Sequence, residues 1–196
     1  MFCQARLKSV VLPLTIFLAV VTFISVRANA QVVPFKIKGG GLAPQGLNLF
    51  GEFGPHTATG NATHLGNYSG TGSAQVTGFN PQTFAGLFHG SFVFVAANGD
   101  KLACDYGGPA NPSGPGAPGT FQVFPNPDGT AFVQFYATFI PKPADSTGRF
   151  ANVSGGSFFM VATTSRFPLV ISANGNTPPF EYTWTGEGTL EFKKGK

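Results

Sequence analysis

Few side chains in this sequence could do acid–base or nucleophilic chemistry. There are three histidines, His56, His64 and His89, and beyond the first thirty residues a single cysteine, Cys104. His64 shares strand parity with Tyr68, so the two are expected to face the same way, inward. An imidazole beside a phenol is either an acid–base pair or an anchor for a polar ligand group. The plainer alternative is a histidine hydrogen-bonded for structure. His56 falls in a Gly-Pro segment that reads as a loop, and His89 lies on the face opposite Phe88 and Gly90. The histidine spacing matches no compact zinc pattern and there is no second cysteine, so no metal is expected. Cys104 shares parity with Leu102 and Tyr106, the setting of a small buried hydrophobe. A nucleophile would need a base and electropositive surroundings, which its sequence neighbours lack. Glu52, the one acid inside an aromatic stretch, is read as outward with Phe53 inward. Gly66-Asn67-Tyr68-Ser69-Gly70 has the wrong offset for a nucleophile elbow, and Gly70-Thr71-Gly72 has no third glycine in register for a dinucleotide fingerprint. No cofactor is therefore expected and no catalytic residue is assigned. His64, Tyr68, Cys104, Tyr106 and Trp184 are the candidates to line a ligand site.

Strands must position these residues. The chain has 196 residues, 42% hydrophobic and only 10% charged, with 27 Gly and 16 Pro. Low charge argues against a solvated disordered chain, and Gly and Pro are too frequent for a coiled coil. Gly follows no three-residue period, which excludes collagen. Phe180 to Phe192 alternates strictly: Phe180, Tyr182, Trp184, Gly186, Gly188, Leu190 and Phe192 on one side, Glu181, Thr183, Thr185, Glu187, Thr189 and Glu191 on the other. Period two is the mark of a half-buried strand. Ala62 to Val76 alternates as well. Gly90–Ala96 and Lys101–Tyr106 flank Asn98-Gly99, a pair that suits a type I′ hairpin turn. Thr120–Phe124 and Thr130–Ile140 flank a second turn. Ser157–Thr164, Pro168–Ser172, Phe35–Lys38 and Leu47–Phe53 complete eight to ten strands. An all-β sandwich or barrel follows. A barrel is favoured because long, glycine-punctuated strands can coil and close, which removes exposed edges.

The first thirty residues read as an address. Arg6 and Lys8 precede an apolar run from Ser9 to Val26, and Arg27-Ala28-Asn29-Ala30 ends it with a small-x-small site, the order of a secretory signal peptide cut between Ala30 and Gln31. The rival is an uncleaved anchor, for which the run is slightly short. Residues 31–196 would then form one domain, with 31–59 as an irregular lead-in and first strands, in a secreted or periplasmic protein. Arg6, Lys8 and Arg27 leave with the leader, taking Lys+Arg from 12 to 9 against 8 acids and the net charge from +4 to +1. Nucleic acid and, after signal removal, membrane are accordingly not expected as partners. Cys104 alone cannot form an intramolecular disulfide. The fold must rest on its core, and all but Phe2, Phe17 and Phe23 of the 22 Phe remain to build it. Residues 107–119 are rich in Gly and Pro and read as a long surface loop. Asn61, Asn67 and Asn152 open N-x-S/T triplets, which a Ser/Thr/Asn-rich chain also produces by chance.

Two stretches carry a resemblance. Gly60-Asn61-Ala62-Thr63-His64-Leu65-Gly66 opens a strand rich in Gly, Ser and Thr, and Ser146-Thr147-Gly148-Arg149-Phe150 leads through Ala151-Asn152-Val153-Ser154-Gly155 into a Phe-rich strand. The second is similar to the T-G-R-F-x-x-x-x-G segment of allene oxide cyclase and dirigent-type barrels. The span from about Gly60 to Phe192 resembles secreted bacterial proteins with an allene oxide cyclase barrel-like domain. The resemblance implies a single antiparallel eight-stranded closed β-barrel, calycin-like in shape. It also offers a cyclase or isomerase acting on an unsaturated lipid-like substrate as one function. The leading expectation is a barrel of no settled catalytic role holding a small apolar ligand. A structural module whose barrel is filled by its own Phe is the third.

Overall fold

The computed structural model describes residues 30–107 and 118–194. The leader expected before Gln31 and most of the Gly/Pro-rich segment lie outside these. The described chain forms β1 (Gln31–Ala43), β2 (Gly54–Ala62), β3 (Gly66–Asn80), β4 (Ala85–Ala96), β5 (Lys101–Tyr106), β6 (Gly119–Pro125), β7 (Thr130–Pro141), β8 (Val153–Thr164), β9 (Phe167–Pro168) and β10 (Phe180–Phe192). Its only helical pieces are two 3-10 turns, Pro143–Asp145 and Gly148–Phe150.

All ten strands join one antiparallel sheet, ordered β3-β2-β1-β10-β8-β7-β5-β4-β6, and the β3–β4 and β7–β6 pairings close it into a ring. β9 sits beside β7, off this path. β5 and β6 share one place between β4 and β7: Tyr106 opposes Gly90 and Phe139, while Thr120 opposes Leu87 and Tyr136. Eight strand positions therefore go round the ring. Closure leaves no long unpaired edge, which suits a chain with few charges to protect one.

Alternation holds where it is strongest. Along β10, Phe180, Tyr182, Trp184 and Leu190 are buried and Glu181, Thr183, Thr185 and Glu187 are exposed. Two weaker expectations fail. Leu47–Phe53 is turn and bend rather than strand, and Phe53 is 55% exposed, outside and not inside. The strand expected over Pro168–Ser172 stops at Pro168. The Asn98-Gly99 turn is not type I′: only Gly99 has positive φ (88°), and Ala96 N–H bonds to Asp100 O across a longer loop. That is the three-residue hairpin with glycine in the left-handed position.

Large and small residues divide the interior between them. The inner face of β1, β2 and β3 is stripped to glycine and alanine at Gly39, Gly41, Ala58, Gly60, Gly70 and Gly72. Phe92 of β4 and Tyr68 of β3 itself lie over it: a Cβ on Gly70 or Gly72 would strike Phe92, and one on Gly39 or Gly60 would strike the Tyr68 hydroxyl. Phe92, Phe94, Phe158 and Trp184 interlock there, with Phe92–Phe94 at 4.6 Å and Phe92–Trp184 at 5.1 Å between centroids. Full burial of each ring contributes about 2–3 kcal/mol, which is how a fold without a disulfide is held.

The two ends differ. At one, Phe150 is fully buried beside the tight turn of Gly148 (φ 62°), and Arg149 bonds Asp100 and the His64 carbonyl, tying two hairpin turns together. At the other, the segments before β2 and before β10 are stitched into a cover. Asn48 and Asn176 form a β-bridge, Leu49 N–H donates to Gly175 O, and Thr177 N–H donates to Leu47 O.

Candidate functional site

Beneath that cover lies a cavity of about 90 Å³, room for about three water molecules. Its wall is mostly apolar, including Leu47, Phe88, Phe135, Phe139, Met160 and Phe180. No charged side chain lines it. The polar exceptions are Asn48, His56, Tyr106, Tyr182 and Trp184.

His56 organises the polar group. It belongs to β2, not to a loop, and its strand parity with Ala58 and Ala62 turns it inward. The Gly-Pro pair before it obscures this in the sequence, as does the fact that β2 alternates small with polar rather than large apolar with polar. The half-buried imidazole reaches two phenols: Nδ1 lies 2.8 Å from Tyr182 Oη and Nε2 lies 2.9 Å from Tyr106 Oη. Phe92 stacks at a tilt beside it (5.1 Å) and Trp184 meets it edge-on (6.4 Å). Burial among these rings, with no acid alongside, disfavours the cation and lowers the His56 pKa to about 4.

Each phenol also reaches the sheet. Tyr182 Oη lies 2.9 Å from Thr57 O, and Tyr106 Oη lies 3.0 Å from Ser73 O. Glycine makes both approaches possible: a Cβ on Gly41 would collide with Tyr182 Oη and Thr57 O, and one on Gly90 with Tyr106 Oη and Ser73 O. Burial pushes both phenol pKa values up, so the hydroxyls stay protonated. A third phenol completes the interior polar set without touching the cavity. Tyr68 Oη accepts from Trp184 Nε1–H at 2.8 Å and donates to Lys38 O, and burial raises its pKa to about 12.

The sequence candidates separate accordingly. Tyr106 and Trp184 line the cavity, Tyr68 supports Trp184 from behind, and Cys104 is fully buried away from it. His64 does not face inward: the alternating run from Ala62 is broken by a turn, and His64 sits in it, exposed, at φ 66° with Nε2 bonded to Pro34 O. His89 lies on the outer face and bonds Gln75. His56 and Tyr182 were missed as site residues. Tyr182 was legible from β10 parity; His56 was not, because only the pairing of β2 with β1 and β3 reveals which way it points.

Chemically, the group is a neutral imidazole between two protonated phenols. It can exchange hydrogen-bond roles but holds no ionised base or thiolate. Among the described residues no three His, Cys, Asp or Glu gather as metal ligands. Comparison of the chain with family models, with curated proteins and with solved structures gave no match.

Proposed function

We propose that the chain is a secreted or periplasmic β-barrel of the allene oxide cyclase-like, calycin-like shape, and that it binds one small, largely apolar molecule inside the ring. The observation that carries this reading is the uncharged, apolar cavity under the cover, with His56 and two phenols as its polar end. Small-molecule sites combine an apolar wall with a few placed polar groups, and this one does so in miniature. Eight strand positions also suit an interior with space for side chains and one small ligand. A cyclase acting on a lipid-like chain is the weaker alternative. His56 at the cavity speaks for it, but about 90 Å³ is far below the ~300 Å³ at which ordinary ligand pockets begin.

Native mass spectrometry of protein purified from its own source, followed by solvent extraction, tests the reading. A stoichiometric adduct of low mass, lost on denaturation, is expected. A bare chain that also takes up no small apolar compound on titration would leave the structural module, its interior filled by Phe, as the function.

A further inference from the structure

We infer that the cavity selects neutral ligands that donate a hydrogen bond, so that an alcohol binds in preference to the ketone of the same shape. This inference rests on the ligand-binding reading above and adds the ligand's chemistry.

The argument is a count of protons. Four close contacts join the polar group: His56 Nδ1 to Tyr182 Oη, His56 Nε2 to Tyr106 Oη, Tyr182 Oη to Thr57 O, and Tyr106 Oη to Ser73 O. Each needs one proton between its heavy atoms. Two phenols supply one each and a neutral imidazole supplies one, so three protons serve four contacts. Protonating His56 would furnish the fourth. The groups facing it forbid that: Tyr106 from β5, Tyr182 and Trp184 from β10 and Phe92 from β4 offer no negative charge, and no carboxylate lines the cavity. One added hydrogen bond is small beside the cost of an unpaired buried cation.

With His56 neutral, one phenol accepts from the ring N–H and donates to its strand carbonyl. The other donates to the bare ring nitrogen and accepts nothing. Whichever tautomer is present, one of these two cavity-lining tyrosines keeps open lone pairs on its oxygen. No side-chain donor of the lining is open in return. The Trp184 N–H is committed to Tyr68, and the Asn48 amide donates to Asn176 Oδ1 and Asn174 O. A ligand hydroxyl therefore finds an acceptor ready. A ketone, ether or carboxylate finds none of these side-chain protons free without breaking an existing bond, and loses its own hydration on the way in.

Cyclobutanol and cyclobutanone, compact and nearly equal in shape, form the test. The chain is titrated with each while the indole N–H resonance of Trp184, its single tryptophan, is followed by NMR. The alcohol is expected to bind at least about fivefold more tightly, the equivalent of one hydrogen bond of about 1 kcal/mol. Equal affinities, or tighter binding of the ketone, would overturn the donor rule and leave the ligand-binding reading in place. Failure of both compounds to bind would overturn the two together. The Tyr106→Phe/Tyr182→Phe double variant removes both phenol acceptors and should bring the two affinities together. A preference that persists in the folded variant also refutes the inference.

Discussion

Gly41→Ala isolates the close approach on which the polar group depends. The new Cβ would lie against Thr57 O, 2.7 Å from Tyr182 Oη and 2.8 Å from Tyr182 Cζ. The carbonyl belongs to the paired strand β2, so β1 must shift from it as well as the tyrosine moving. Overpacking of this kind costs about 1–3 kcal/mol. Loss of the Tyr182 bonds to Thr57 O and His56 adds about 1 kcal/mol. Against this, replacing glycine lowers the entropy of the unfolded chain and returns about 0.4–1 kcal/mol. A net loss of about 2 kcal/mol remains, or about 4–8 °C in Tm for a domain of this size. Gly78→Ala is the control. It is the same chemical change in the same sheet, but nothing lies within 4 Å of its Cβ and its φ is ordinary. It should be neutral or stabilising by up to about 1 kcal/mol. Urea unfolding of both variants, read by Trp184 fluorescence, decides the matter. Should the two agree within about 0.5 kcal/mol, glycine at 41 is not there to admit the phenol.

Two further outcomes follow from burial. The His56 pKa lies at about 4 in the folded chain against 6.5 when free, so between these values the unfolded chain binds a proton that the folded chain refuses. Stability on this account falls as pH drops from 6.5 to 4, by up to about 3 kcal/mol, and levels below; an NMR titration midpoint for His56 near 6.5 would refute it. In a chain starting at Gln31, Cys104 is the single thiol, fully buried, with its pKa pushed up by desolvation and then by Asp105. A thiol reagent should modify it no faster than the protein unfolds, and rapid labelling under native conditions would contradict that.

Side-chain alternation made much of the fold readable. β10 announces itself because large apolar residues recur every second position, and the β4–β5 and β6–β7 hairpins because turn residues separate apolar runs. β2 does not, since Gly54, His56, Ala58, Gly60 and Ala62 are small or polar and fill the inner face only because rings from other strands cover them. A stripe of that sort has no hydrophobic period of its own. The same blindness misplaced the site. Parity with Tyr68 points to His64 and not to His56, but a left-handed residue at 64 breaks the register that parity assumes. Tyr106 and Trp184 are legible because the residues two positions away on their own face are apolar in the usual way. The His56 contacts join residues 50 and 126 positions apart, and nothing local encodes them.

The place shared by β5 and β6 has a consequence for how the chain can vary. Gly107 and Gly119 stand side by side, a Cβ on Gly107 falling 2.6 Å from Gly119 N, and the strand resumes where it stopped, gripped by β4 on one flank and β7 on the other. Lengthening the detour between them costs only about 0.6 kcal/mol per doubling. This is accordingly the point at which the ring should accept inserted domains, and at which severed halves, β1–β5 and β6–β10, should find each other and reassemble.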